Sequence, residues 1–183
     1  MSHCLDIFRY CPVCGSQHFN VNNVKSKKCA DCGFVYYLNP SAATAAFIEN
    51  EQGGLLVCRR GKEPAKGTLD LPGGFTDMEE TCAETIAREI REELNLTVES
   101  SEILFSLPNW YYYSGMNIPT LDFFFVCNVS DFSTLQAADD VAEAFFVKPK
   151  ELDPELFGLA SIRKAVSIYK ERKISTNHSC DQN

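Results

Sequence analysis

From Gly74 to Leu96 the chain reads GFTDMEETCAETIAREIREELNL, behind a Leu-Pro-Gly turn that starts at Leu71. Few local structures other than a capped amphipathic helix entered through a glycine turn accommodate that order of residues. Thr81 and Glu84 stand at capping-box spacing, the hydroxyl accepting from the third backbone N–H while the glutamate reaches back to the first, so a helix is expected from about Cys82. Ala83, Ile86, Ala87, Ile90 and Leu94 recur at helical spacing and form one apolar stripe fit to lie on a sheet. Asn95 falls at the C-cap, where asparagine tolerates the left-handed conformation.

The same helix carries Glu89, Glu92 and Glu93, whose offsets of one, three and four residues place them at adjoining positions, expected on one exposed flank. Arg88, four residues after Glu84 and four before Glu92, is placed to orient a carboxylate by a helical ion pair. An acidic run on a helix is commonly a solvated face. Three carboxylates this close nevertheless repel one another unless a cation sits among them, and an oxygen-only donor set favours a hard ion such as Mg²⁺ or Mn²⁺.

Written as G-x(5)-E-x(7)-R-E-apolar-x-E-E-x-N-apolar, the segment resembles the Nudix box at every defined position but Asn95, where the family usually has glycine. The resemblance implies an α/β fold, an α/β/α sandwich with a mixed sheet, and metal-dependent hydrolysis of a nucleoside diphosphate linked to another moiety. It makes Glu89, Glu92 and Glu93 the metal ligands, with Arg88 holding one of them in place, and it makes Glu80 an organiser of the loop. Gly73 and Gly74 supply backbone freedom in the turn, and Gly74 offers its carbonyl oxygen to a metal. The general base is left open among Glu89, Glu143 and the pair Asp139–Asp140. The formal charge of −8 adds a constraint, because an acidic site on an acidic protein repels a polyphosphate unless cations intervene.

Cys11-Pro-Val-Cys14-Gly and Cys29-Ala-Asp-Cys32-Gly are two copies of one knuckle. In each, the glycine lets the backbone curl so that both sulfurs face one ion, and four thiolates fill a tetrahedral structural Zn²⁺ site. Two disulfides would require an oxidising compartment. Against that stand an odd total of nine cysteines and the lack of a signal-like apolar run, which together give the expectation of a cytoplasmic protein without a membrane segment. Cys4, Cys58, Cys82, Cys127 and Cys180 are read as buried or incidental thiols.

The expected organisation is a zinc ribbon over residues 1–38, too short to bury a core by itself, then a hydrolase domain over 39–172 and a polar, frayed tail over 173–183. Within the second unit the pattern predicts a hairpin of Ala42–Glu49 and Leu55–Arg60 around Gly53-Gly54, and strands over Thr120–Val129 and Val141–Val147. A closing helix is expected over about Glu155–Arg172, with Leu159, Ile162, Val166 and Tyr169 on one face.

The aromatic stretch FSLPNWYYYSG, from Phe105 to Gly115, contains the chain's only tryptophan. Its rings can stack on a base, or they can fill an ordinary half-buried strand. Ser106, Pro108, Tyr111 and Ser114 partly match the array SQPWPFPxS of zinc-ribbon Nudix enzymes that cleave NADH, while Leu107, Asn109, Trp110 and Tyr112 depart from it. Ser106, Trp110, Tyr111 and Ser114 are accordingly the expected substrate contacts, and the expected substrate is a nucleotide-type small molecule, either NADH-like or ADP-ribose. The alternatives are a nucleoside triphosphate or an NAD-capped RNA engaged by the ribbon. Nucleic acid is not the expected partner, because residues 1–38 hold only four basic and two acidic side chains. A silent nucleotide sensor would be expected to have lost box glutamates or gained a DNA-binding domain. The resemblance also implies a homodimer.

Overall fold

The computed structural model describes residues 3–180, with side-chain surroundings through residue 173. The N-terminal unit is a three-stranded antiparallel sheet of β1 (Phe19–Asn23), β2 (Ser26–Cys29) and β3 (Val35–Tyr37). Its core is small, with Cys11, Phe19 and Cys29 buried and Phe8, Phe34 and Tyr36 packed around them.

The larger unit has two three-stranded sheets. One runs in the order β4 (Ser41–Phe47), β8 (Met116–Asn128), β7 (Ser100–Tyr113), with β4 parallel and β7 antiparallel to β8. The other is antiparallel in the order β6 (Leu69–Asp70), β5 (Leu55–Arg60), β9 (Val141–Val147). Side chains alternate across a strand, so β4 and β5 feed two cores at once. Ala46, Ile48, Leu56 and Cys58 pack with Ile86, Ile90 and Leu94 of helix α1 (Cys82–Leu94). Ala45, Phe47, Leu55 and Val57 pack with Ile162, Ala165, Val166 and Tyr169 of helix α2 (Ala160–Cys180). The result is a mixed α/β fold with a helix against each face.

The expected hairpin is not a continuous ladder. β4 spends its hydrogen bonds on β8 and β5 spends its own on β6 and β9, so the two segments join at the turn, through the Glu49–Leu55 bridge and the bonds from the Leu56 N–H to the Ile48 carbonyl and from the Asn50 N–H to the Gly54 carbonyl. The closing helix starts later than Glu155. A 3₁₀ turn over Pro154–Leu156, capped by Asp153, is followed by an extended, fully buried Phe157. Gly158 then presses so close to Thr68 that a Cβ there would lie 2.3 Å from its hydroxyl oxygen. α2 begins only at Ala160 and runs past Arg172 to Cys180, across most of the segment expected to fray; residues 181–183 lie outside the described residues. No helix among the described residues is long and apolar enough to cross a membrane.

Candidate active site

Helix α1 forms as its caps require. Thr81 accepts the Glu84 N–H, Glu84 returns a bond to the Thr81 N–H at 2.8 Å, and Asn95 closes the helix in the left-handed conformation with its N–H on the Arg91 carbonyl. The loop before β9 is tied to the C-terminal end of α1, because Gln136 and Ala138 donate to the carbonyls of Leu94 and Glu93, which lack helical partners. Gly61 and Lys62 clip the same loop from the other side: the Gly61 N–H reaches the Asp140 carbonyl at 2.6 Å and the Lys62 ammonium reaches Asp139 at 2.6 Å.

The turn in front of α1 is fitted to the carboxylates behind it. A Cβ on Gly74 would lie 2.6 Å from the Glu89 carboxyl carbon, and one on Gly73, at φ +142°, would strike the Thr44 carbonyl at 2.2 Å. The Gly73 N–H donates to Glu93 at 2.9 Å. The Gly74 carbonyl, expected to face a metal, accepts the Thr44 N–H at 2.8 Å and so fastens the turn to β4.

Arg88 is the electrostatic centre. Its guanidinium meets Glu80 at 2.7 Å, Glu89 at 2.9 Å and Glu92 at 3.1 Å, and it donates to the Phe75 carbonyl at 3.2 Å. Glu84, four residues before it, serves the cap instead. Glu80 also accepts from the Asp77 N–H and from Thr85, and it is the brace expected of it; the Arg88 guanidinium lowers its pKa to about 2.

The three box glutamates do not share one exposed flank. Glu93 is 6% exposed and Glu89 is largely covered, and these two, one helical turn apart, face a cavity of about 300 Å³. Glu92 stands outside it on Arg88. Burial raises the pKa of both cavity carboxyls, and Asp140 beside Glu93 adds to the rise there. Among the residues lining the cavity, Asp70, Asp77, Glu89, Glu93, Asp122, Asp139 and Asp140 are acidic and Arg60 is the one cation, itself bound to Asp70 at 2.5 Å. An oxygen-only wall with this charge fits hard divalent ions, with Glu89, Glu93 and the neighbouring Glu92 as the side chains to hold them.

The other predicted residues divide. Tyr111 lines the cavity, its ring edge-to-face with Phe75 at 5.3 Å and its hydroxyl 3.3 Å from Arg60. Trp110 does not reach the cavity. Neighbours on a strand point to opposite faces, so Asn109 and Tyr111 turn inward while Trp110 is 63% exposed on the far face. Ser106 is exposed on that same far face, and Ser114 sits in the turn after β7 at φ +49°. Glu143 pairs with Arg59 at 2.8 Å and is not among the residues lining the cavity, whereas Asp140 is. Thr120, Asp122, Arg60 and Phe75 were not anticipated. The alternation along Thr120–Val129 carried a signal for the first two.

In the N-terminal unit the sulfurs of Cys11, Cys14, Cys29 and Cys32 all lie within 4.8 Å of one another, with Cys11–Cys32 and Cys14–Cys29 both at 3.6 Å. A tetrahedral zinc–thiolate site with bonds of about 2.3 Å requires sulfurs about 3.8 Å apart, so the set fits such an ion. The knuckles repeat bond for bond: Gly15 and Gly33, both at positive φ, donate to the Cys11 and Cys29 carbonyls, while the N–H groups of these two cysteines reach Ser16 and Phe34. The Cys32 backbone N–H is the main influence lowering the Cys29 thiol to a pKa of about 6.

Comparison with known proteins places this geometry. Residues 39–167 match the model of the NUDIX domain. The ADP-ribose pyrophosphatase of Methanocaldococcus jannaschii is 34% identical over 73% of this chain and 77% of its own length. The NAD-capped RNA hydrolase NudC of Vibrio parahaemolyticus is 28% identical over 62% of this chain, which spans only 43% of that relative. Among solved structures, a NUDIX hydrolase from Nitrosomonas europaea superposes with a TM-score of 0.71 at 22% identity, covering 91% of this chain and 93% of that one.

Proposed function

The chain belongs to the Nudix family of pyrophosphohydrolases, and from that premise we propose that it cleaves ADP-linked small molecules, ADP-ribose or an NADH-like dinucleotide, to AMP and a second phosphorylated product. The supporting observation is the make-up of the cavity wall. Glu89, Glu93 and Asp140 line it together with Tyr111 and Phe75, whose rings meet edge-to-face at 5.3 Å. A substrate that joins a diphosphate to uncharged rings suits a wall of carboxylates and aromatic surface.

Glu89, Glu92 and Glu93 would hold Mg²⁺ or Mn²⁺, and the chemistry such an ion would supply is neutralisation of the phosphate oxygens and a lowered pKa for a water molecule. The chain's own side chains supply the rest. Arg88 and Glu80 fix the helix against the turn, and Gly73 positions Glu93 through its N–H. Asp140 and Glu89 are the carboxylates within the cavity suited to take the water's proton, and Glu143, engaged with Arg59 outside it, is set aside. Cys11, Cys14, Cys29 and Cys32 would hold Zn²⁺, which would stabilise the folded ribbon and leave no position open for chemistry. The same reading extends to a homodimer.

The decisive assay incubates the protein with Mg²⁺ and a panel of ADP-ribose, NADH, NAD⁺, dinucleoside polyphosphates, nucleoside triphosphates and NAD-capped RNA, and identifies the products chromatographically. AMP from ADP-ribose or NADH is expected at the highest kcat/KM. Faster conversion of a triphosphate to monophosphate and pyrophosphate would overturn the proposal. Preferential decapping of the RNA would move the substrate to the nucleic-acid end of the family.

A further inference from the structure

Where β8 meets α2, the cavity wall contains a carboxylate that the metal chemistry does not use. Asp122 of β8 is 6% exposed and lines the cavity, as does Thr120, two residues earlier on the same face of the strand. The Thr120 hydroxyl donates to one carboxylate oxygen at 2.5 Å and the Ser161 hydroxyl of α2 donates to the other at 2.5 Å. Both partners are neutral, and each carboxylate oxygen retains acceptor capacity. Leu159 and Ile162, at the start of α2, supply apolar wall beside it.

A buried carboxylate held in this way has a specific ligand chemistry. It repels phosphate, so it orients the substrate with its diphosphate toward the box glutamates and the cations they would hold. It also accepts hydrogen bonds from neutral donors, and two oxygens fixed side by side match a pair of adjacent hydroxyls. A carboxylate serving only to tie β8 to α2 would have no need to face the cavity. Resting on the functional reading above, we propose that Asp122 is the residue that selects ribose, accepting from the vicinal hydroxyls of a substrate sugar. Those hydroxyls belong either to the adenosine or to the second ribose of the molecule.

The test compares ADP-ribose with its 2′-deoxyadenosine analogue and with the analogue deoxygenated at the second ribose, in the wild type and in Asp122→Asn. Hydrogen bonds to a charged acceptor lead to an expected preference of about tenfold or more in kcat/KM for ADP-ribose over one of the two analogues, and the arm that responds identifies the sugar. In Asp122→Asn the preference is expected to shrink toward unity, with the loss for ADP-ribose carried by KM. Equal cleavage of all three substrates by the wild type, or an unchanged preference in a folded Asp122→Asn, overturns the proposal while leaving the pyrophosphatase reading intact. If Asp122→Asn does not fold, the wild-type comparison decides alone. No cleavage of ADP-ribose at all overturns the functional reading and this proposal with it.

Discussion

Replacing Glu93 with glutamine separates what the site needs for chemistry from what the fold prefers. Glu93 is almost fully buried, accepts the Gly73 N–H at 2.9 Å, and has Asp140 and Glu89 close by. Burial first, and then these like charges, raise its pKa well above the usual carboxylate value. An acid whose folded-state pKa is raised costs stability as pH climbs above its unfolded value, because the folded chain must keep the proton or bear the buried charge. Glutamine keeps the shape and can still accept from Gly73, so it removes the charge without removing that bond. Relief of a poorly compensated buried charge is worth about 1–3 kcal/mol. For a chain of this size that is a rise in Tm of about 2–4 °C per kcal/mol. In buffer without Mg²⁺ or Mn²⁺, Glu93→Gln should therefore melt above the wild type at pH 7.5, and the gap should close as pH falls toward 4.5. Its kcat/KM with Mg²⁺ should fall by about 10²–10³-fold, the equivalent of the several kcal/mol a bound metal contributes. Differential scanning calorimetry and steady-state kinetics on one preparation supply both numbers. A variant less stable than the wild type at pH 7.5, with activity within tenfold of it, would refute the reasoning.

Replacing Cys29 and Cys32 with serine should release about one zinc per chain by atomic absorption and lower Tm, while Mg²⁺-dependent turnover persists in the folded fraction; an unchanged zinc content would sink the four-thiolate site. Glu80→Gln should destabilise the protein at pH 7. Because the wild-type carboxyl is depressed to about 2 by Arg88, the gap between the two melting curves should be full above pH 4.5 and vanish as pH falls toward 2; a gap independent of pH would show that Glu80 acts otherwise. Tyr111→Ala should raise KM by about tenfold or more while Trp110→Ala leaves KM within about twofold, and the reverse ranking would place the substrate on the far face of β7.

The parts of this molecule that could be read from the chain are those whose physics is local. The capping box, the Asn95 cap, the paired knuckles and the Ile86–Ile90–Leu94 part of the α1 stripe all depend on residues within a turn or two of one another, and each stands where the sequence puts it; Ala83, expected in that stripe, is exposed at the start of the helix and Ala87 is half-buried. The three glutamates differ in exposure, contrary to the single exposed flank that their spacing predicts. Spacing gives their order around the helix but not where the Gly73–Gly74 turn and the Asp139–Asp140 loop cover it. Of the two aromatic contacts expected here, Tyr111 lines the cavity and Trp110 does not, for a related reason. Aromatic content marks the strand, yet which parity faces the cavity is fixed by pairing with β8, where Asn109 stands opposite Thr120, and a shift of one residue exchanges the faces. Asp140 reaches the site through bonds from Gly61 and Ala138, contacts that no pattern around Asp140 encodes. For Asp122 the signal is confined to the Thr-Leu-Asp alternation at the start of its strand, and the phenylalanines after it interrupt that pattern.

The central claim is that the box carboxylates direct water onto the diphosphate of an ADP-linked substrate. It is tested most directly by turnover of ADP-ribose with Mg²⁺ in ¹⁸O-labelled water, followed by mass spectrometry of the products. Equimolar AMP and ribose 5-phosphate are expected, with one ¹⁸O atom in only one of the two, and no turnover when Mg²⁺ is omitted. Release of inorganic phosphate, label in neither product, or the same rate without a divalent ion would contradict it.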